Sequence, residues 1–334
     1  MNKLVILLII VNTFSLSTFA QDPQFSQYFS SPLTLNPAYT GFFEGPQRLA
    51  MNFRNQWLGV GEPFQTGTIS LESKLIKQQV GQENILGLGI MGMFDKTAGG
   101  TYRSNYLSIS TAYHQVLDDN AYHHLGIGFQ ASMGTRNLDF NRVSFNEQFS
   151  SRGFDLSIYN GESMLTKSAT YLDFNTGLMY NYNGIRNRYY LGTSLYHITR
   201  PSISFLGNDR YQLPMRITIH GGASWILGDH GEVHVSGQYM SQGAASNHVF
   251  GLAYGYSIQS ANDNNVLYAG MWARSKDAIY PYLGYRLNNT VLGLSYDVTT
   301  SGLQMSAKHN RSFEISLIYD FPDKSYEKKM LPWY

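Results

Sequence analysis

The chain has 334 residues, 24 Lys plus Arg against 23 Asp plus Glu, a formal net charge of +1, and no cysteine. That composition excludes disulfides, thiolate metal sites, Cys nucleophiles and a lipidated N-terminal Cys, and its near-neutral total argues against nucleic-acid binding through a broad basic surface. Charged residues make up only 14%, against about 25% in an ordinary soluble domain, while aromatics also reach 14% and Asn, Gln, Ser and Thr carry the polar share.

The chain opens on Lys3 and an apolar run from Leu4 to Val11, too short to span a bilayer as a helix. Thr18-Phe19-Ala20 ends in the small residue that signal peptidase prefers, so residues 1–20 read as a signal peptide and the mature chain as exported, starting at Gln21. In residues 21–46, Pro23, Pro32, Pro37 and Pro46 bar a regular helix or central strand. The aromatics Phe25, Tyr28, Phe29, Tyr39, Phe42 and Phe43 lie among them. Such side chains gain roughly 1.5–3 kcal/mol each on full burial. Together with Asn36 and Pro37 they are the expected contacts of a plug-like segment in a barrel's periplasmic mouth or lumen.

From residue 47 to 321 the chain repeats about ten residues of alternation and then a turn. Strands are predicted at Gln47–Trp57, Phe64–Ser73, Ile85–Phe94, Tyr102–Gln115, His124–Gly134, Tyr171–Tyr182 and Arg188–Ile198. Others follow at Met215–Leu227, Glu232–Ser241, Asn247–Gln259, Val266–Arg274 and Ala278–Leu287, then around Leu292–Val298 and Phe313–Phe321. In the clearest, Leu125, Ile127, Phe129, Ala131 and Met133 share one face, opposite Gly126, Gly128, Gln130, Ser132 and Gly134. The apolar face is ambiguous in Ile85–Phe94 and Val266–Arg274. The total is about fourteen, an even number in the range of bacterial outer-membrane barrels.

A soluble sandwich would hide such apolar faces against each other and need a charged exterior. A membrane barrel turns them to lipid and can dispense with charge, closing on itself because lipid offers no hydrogen-bond partners. The scarcity of charge favours the second. So do Trp57, Tyr102, Tyr182, Trp225, Tyr239 and Trp272 near strand ends, read as interfacial girdles. The expected fold is an all-β, transmembrane, antiparallel up-and-down barrel of about 14 strands, with both termini periplasmic and residues 322–334 as a C-terminal tail. Connections after even strands are then short and those after odd strands longer, with Lys74 to Asn84 the exception.

No chemistry-bearing motif survives this context. Gly87-Leu88-Gly89-Ile90-Met91-Gly92 matches a dinucleotide fingerprint in letters, but its glycines fall inside a strand and no helix follows. His123, His124, His220, His234 and His248 lack metal-ligand spacing, and no G-x-S-x-G elbow is present. No catalytic, metal or cofactor-binding residue is assigned, and the chain is expected not to be an enzyme. Arg54, Arg216 and Glu314 fall on inward faces, where they either line a pore or pair with other lumenal groups.

Gln21-Asp22-Pro23-Gln24-Phe25-Ser26-Gln27-Tyr28, Asn36-Pro37-Ala38-Tyr39-Thr40-Gly41 and Arg54-Asn55-Gln56-Trp57 resemble the PorP/SprF family of outer-membrane proteins of the type IX secretion system of Bacteroidetes. The C-terminal Leu294-Ser295-Tyr296-Asp297-Val298 and Phe313-Glu314-Ile315-Ser316-Leu317 are similar to that family too. Thr40 stands where the family commonly has Ala. The resemblance implies a role in secreting or surface-anchoring large adhesins, as in gliding motility, through the C-terminal domain of the cargo, alongside other secretion components and outer-membrane lipid. The rival is a transport channel, porin-like or for hydrophobic solutes. For cargo, the long stretches Thr135–Thr170 and Thr199–Pro214 offer Phe140, Phe145, Phe149, Phe154, Tyr159, Phe205 and Tyr211 as partner-binding candidates, the bland alternative being that they cap the barrel mouth.

Overall fold

The computed structural model describes residues 22–58, 62–75, 84–151, 153–155, 157–158, 166–205, 211–258, 265–300 and 311–322. The expected signal peptide, Tyr159 and all of the C-terminal tail beyond residue 322 lie outside the described residues.

Fourteen strands form one closed antiparallel barrel. They are β1 (Gln47–Leu58), β2 (Phe64–Lys74), β3 (Ile85–Thr97), β4 (Tyr102–Val116), β5 (His123–Asp139), β6 (Thr166–Asn183) and β7 (Asn187–Tyr196). The second half is β8 (Arg216–Leu227), β9 (Gly231–Gln242), β10 (Ala245–Ser257), β11 (Asn265–Arg274), β12 (Ala278–Leu287), β13 (Thr290–Thr299) and β14 (Arg311–Asp320). Each strand pairs with the next, and β14 returns to β1 from Arg48↔Asp320 to Asn55↔Phe313, so no edge is left.

The alternation read from the sequence sets inside and outside. In β5, Leu125, Ile127 and Phe129 are exposed and Gly126, Gly128 and Gln130 are buried. The two ambiguous strands are settled as well. β3 turns Leu88 and Ile90 outward and Ile85, Gly87 and Met91 inward; β11 turns Leu267 and Met271 outward and Val266 and Tyr268 inward. Trp272 shares that inward face of β11, which corrects its reading as an interfacial girdle. It is 2% exposed and packs on Phe29 and Tyr282, with ring centroids 5.1 and 5.7 Å away. The glycine at 251 makes room for it, since a Cβ there would lie 2.3 Å from the indole.

β5 and β6 run on beyond their predicted ends, pairing from Thr135↔Thr170 to Asp139↔Thr166, so the expected loop 135–170 narrows to 140–165. This connection and 197–215, the two longest, leave the same rim, called the loop rim below. The opposite, turn rim carries the tight connections 184–186, 228–230 and 288–289. The loop rim also has tight turns, at 243–244 and 275–277, so the expected asymmetry is carried mainly by two connections.

Candidate functional site in the lumen and at the loop rim

Inward faces of the strands bring small and polar side chains into the lumen, and residues 22–46 lie against them. The segment traverses the barrel. Asp22 contacts the loop-rim ends of β7, β8 and β9, whereas the Pro46 carbonyl accepts from Lys74 N at the turn rim. Both ends of the mature chain were expected on one side. Phe321 and the start of β1 do share the turn rim, but Asp22 sits at the other one.

At that end, Asp22 N donates to Gln242 Oε1 (2.9 Å), while Asp22 Oδ2 meets Arg216 Nη1 (3.0 Å) and His197 Nε2 (2.6 Å). The other ring nitrogen of His197 faces Asp173 Oδ2 at 2.8 Å. Burial by itself would lower the His197 pKa, but the carboxylates of Asp22 and Asp173 outweigh it and raise it to about 8. Burial likewise opposes ionisation of Asp22, yet His197 and Arg216 hold its carboxyl well below the usual range.

The next turn is clamped by β1 and β14. Ser26 N and Gln27 N donate to the two oxygens of Glu314 at 2.7 and 2.9 Å, and Asn52 Nδ2 donates to Oε1 at 2.8 Å. Ser26 Oγ donates to Asp297, which also pairs with Arg54 (2.9 Å) and Arg274 (2.7 Å). Arg54 reaches the Gln24 carbonyl besides. Of the two uses open to Arg54, Arg216 and Glu314, all three therefore serve pairing. Tyr28 and Phe29 then pack toward Trp272 and Tyr282, and Tyr28 Oη donates to Ser236 Oγ at 2.7 Å. A single helical turn, Pro32–Leu35, follows. Its Leu33 carbonyl accepts from Tyr196 Oη and Gln130 Nε2.

Asn36-Pro37-Ala38-Tyr39-Thr40-Gly41 rests on a wall of glycines. Asn36 Oδ1 accepts from Ala38 N (2.8 Å), while Nδ2 donates to the carbonyls of Leu178 and Thr193. A Cβ on Gly177 would lie 1.8 Å from Asn36 Oδ1, one on Gly128 2.4 Å from Ala38 N, and one on Gly87 2.3 Å from the Thr40 carbonyl. Of the glycines of the apparent dinucleotide fingerprint, Gly87 thus serves close approach of one backbone to another, Gly89 makes room for the side chains of Ser110, Leu33 and Glu72, and Gly92 points outward. Thr40, where the family commonly has Ala, donates to Ser110 Oγ at 2.9 Å or to the Pro37 carbonyl. Phe42 stacks on His114 at 4.8 Å, and Phe43 lies beneath Arg48 and Lys74. Every candidate residue of the segment is buried: Asn36 and Phe43 at 0%, Phe42 at 1%.

The loop candidates behave differently. Phe140 and Phe145 are half-buried and stack on each other at 6.1 Å, and Phe205 is half-buried against Tyr102. Phe149 and Phe154 face each other at 5.0 Å across a two-residue ladder, 64% and 57% exposed, and Tyr211 is 63% exposed. Among the described residues the loop aromatics thus form separate pairs. Sequence reasoning missed Asp22, His197 and Asp173, as well as Asp297 as the shared acceptor. An acid or histidine on an inward face or beside a strand end was the available signal.

A closed antiparallel barrel with an apolar outside and a polar interior defines a membrane β-barrel of the outer-membrane type. Residues 17–319 match the model of the type IX secretion system membrane protein family PorP/SprF, and the chain belongs to that family. The toluene transporter TodX of Pseudomonas putida has a similar fold, with a TM-score of 0.51 at 9% identity over 86% of this chain and 92% of that one. The CymD monoaromatic hydrocarbon channel gives 0.49 at 13% identity, covering 88% and 93%. A Pseudomonas aeruginosa FadL homologue gives 0.43 at 13%, covering 86% and 93%. At these identities the likeness is one of fold alone. A search of curated proteins returned no match.

Proposed function

We propose that the chain is a non-enzymatic partner of the type IX secretion system in the outer membrane, needed for secretion or surface anchoring of a large adhesin through the cargo's C-terminal domain. In this reading residues 22–46 plug the barrel, the loop rim faces outward, and the exposed loop aromatics dock the cargo. The observation that carries it is the lumen itself. A segment hydrogen-bonded to β1, β6, β7, β9, β13 and β14 supports a filled lumen over an open solute path, while Phe149, Phe154 and Tyr211 present apolar surface outside. Burial of a few aromatics is where interface energy concentrates.

Reconstitution into planar bilayers tests the reading. The intact protein should conduct poorly, and deletion of residues 22–46 should raise conductance or destabilise the barrel. Large, stable channels in the intact protein would favour the solute-transport alternative.

A further inference from the structure

Among the described residues, the outer wall has a depression that the lumenal segment does not explain. It has a volume of about 690 Å³, inside the ~300–1,000 Å³ typical of small-molecule sites, and lies on the membrane-facing side of β14, β1, β2 and β3. Its origin is the outward Gly92, next to the Phe94 ring that lies over the outward Gly67. Register places Phe53, Gly67 and Phe94 side by side in one row, and Met51, Ile69 and Gly92 in the row beneath. Gly92 leaves a gap in the lipid-facing surface, Gly67 admits the Phe94 ring, which would lie 2.4 Å from a Cβ there, and Ile315 and Leu317 of β14 complete the apolar wall.

The row immediately above toward the loop rim is polar. Asn55, Gln65, Lys96 and Arg103 are consecutive register partners on β1 to β4, all on the outward face. Lys96 is two residues beyond Phe94, or about 7 Å along the strand. Lys96 Cε and Arg103 Nε converge over Gly100, where a Cβ would lie 2.8 and 3.0 Å from them, and Arg103 Nε donates to the Gly100 carbonyl. Neither cation forms an ion pair with a carboxylate among the described residues. The nearby acids are Asp139, paired with Arg142, and Glu62 beside Gly99. Elsewhere around this rim the outward residues are mixed, with apolar Leu195, Ile217, Ile279 and Val298, uncharged Ser241 and Ser246, His248, and the cation Arg311 beside Val298.

We propose that this face binds a phosphorylated, multi-acyl lipid of the outer leaflet, with acyl chains in the depression over Gly92 and a phosphate on Lys96 and Arg103. Charge-assisted hydrogen bonds from two cations fit a phosphate, and the depression sits at acyl-chain depth below them. The identity of the leaflet rests on the loop rim facing outward, as proposed above.

The test is native mass spectrometry of the full-length barrel in detergent, titrated with bisphosphorylated lipid A or with phosphatidylglycerol. The wild type should retain lipid A in preference. K96A/R103A should weaken retention about tenfold or more, as expected for lost charge-assisted bonds. Gly92→Leu should also weaken it by filling the depression. A Cβ at 92 meets only Ile69, at 3.7 Å, so this variant has room to fold, and heat-modifiable migration on gels confirms that both variants are folded. Equal retention of the two lipids, or variants that bind lipid A like the wild type, would overturn the proposal. Labelling of Ser157→Cys on intact cells with a membrane-impermeant maleimide reports the orientation separately, so failure of that reading is distinguishable from failure of the site.

Discussion

Two stretches of this chain are rich in aromatics yet lie outside the barrel strands, and they meet opposite fates. In residues 22–46 the aromatics are at most 8% exposed, enclosed by the wall and fixed by polar contacts at both rims. In residues 140–158, Phe149 and Phe154 are more than half exposed and held by a ladder of two residue pairs. The difference lies in the polar partners. Asp22, Ser26, Gln27 and Asn36 each find a lumenal acceptor or donor, and the aromatics between them are buried as a result. The described part of the loop has its polar contacts mainly within itself, such as Gln148 Nε2 to the Ile158 carbonyl, and its Phe149 and Phe154 rings pair with each other at the surface.

The comparison breaks most severely at Asp297. Replacing it with Ala leaves Arg54 and Arg274 buried without their shared carboxylate. A loss of about 3–5 kcal/mol is expected, read as a lower urea midpoint in detergent; an unchanged midpoint would remove the clamp from the account. Gly177→Ala is next, with up to about 3 kcal/mol expected from overpacking against Asn36. Asn36→Ala should relieve part of that cost, so the double variant loses less than the sum of the singles; strict additivity would contradict the contact.

pH probes the loop-rim end of the segment. Because His197 is raised from 6.5 to about 8 in the fold, its contribution is complete below pH 6.5 and is lost as pH rises through 8. The amount is about 2 kcal/mol. Asp22 is depressed, so its contribution is present above its ordinary value of 3.8 and is lost as pH falls below that. Hydrogen exchange at the Asp22 amide should accelerate between pH 7 and 9 beyond the intrinsic rise, and His197→Asn should abolish the excess. The smallest effect on stability, within about 0.5 kcal/mol, is expected for Phe149→Ser with Phe154→Ser. Cell-surface adhesin should nonetheless fall. Wild-type adhesin levels in that variant would place the docking site elsewhere.

Much of the wall was legible because a strand's period of two separates faces without knowledge of neighbours: Leu125 and Gly126 declare their sides by themselves. Trp272 was misread for the opposite reason. Its inward direction depends on which face of β11 holds more room, and that is set by Gly251 on another strand. The burial of residues 22–46 was foreseeable from prolines and aromatics, but their direction along the lumen was not. Glu314 and Asp297 are ordinary inward acids in sequence, and only closure of β1 on β14 places them beside Ser26.

That closure has a consequence for the seam it makes. Ser26 and Gln27 precede the first strand and Glu314 lies on the last, yet the backbone amides of the first two are satisfied by the carboxylate of the third. Gln27 also accepts Ser316 Oγ from the last strand, and its carbonyl faces Asn52 of the first. The segment therefore bridges the seam between the first and last strands of the ring. The seated N-terminal residues and the joined seam thus share one set of hydrogen bonds, so parting either would strip polar groups of the other of their partners.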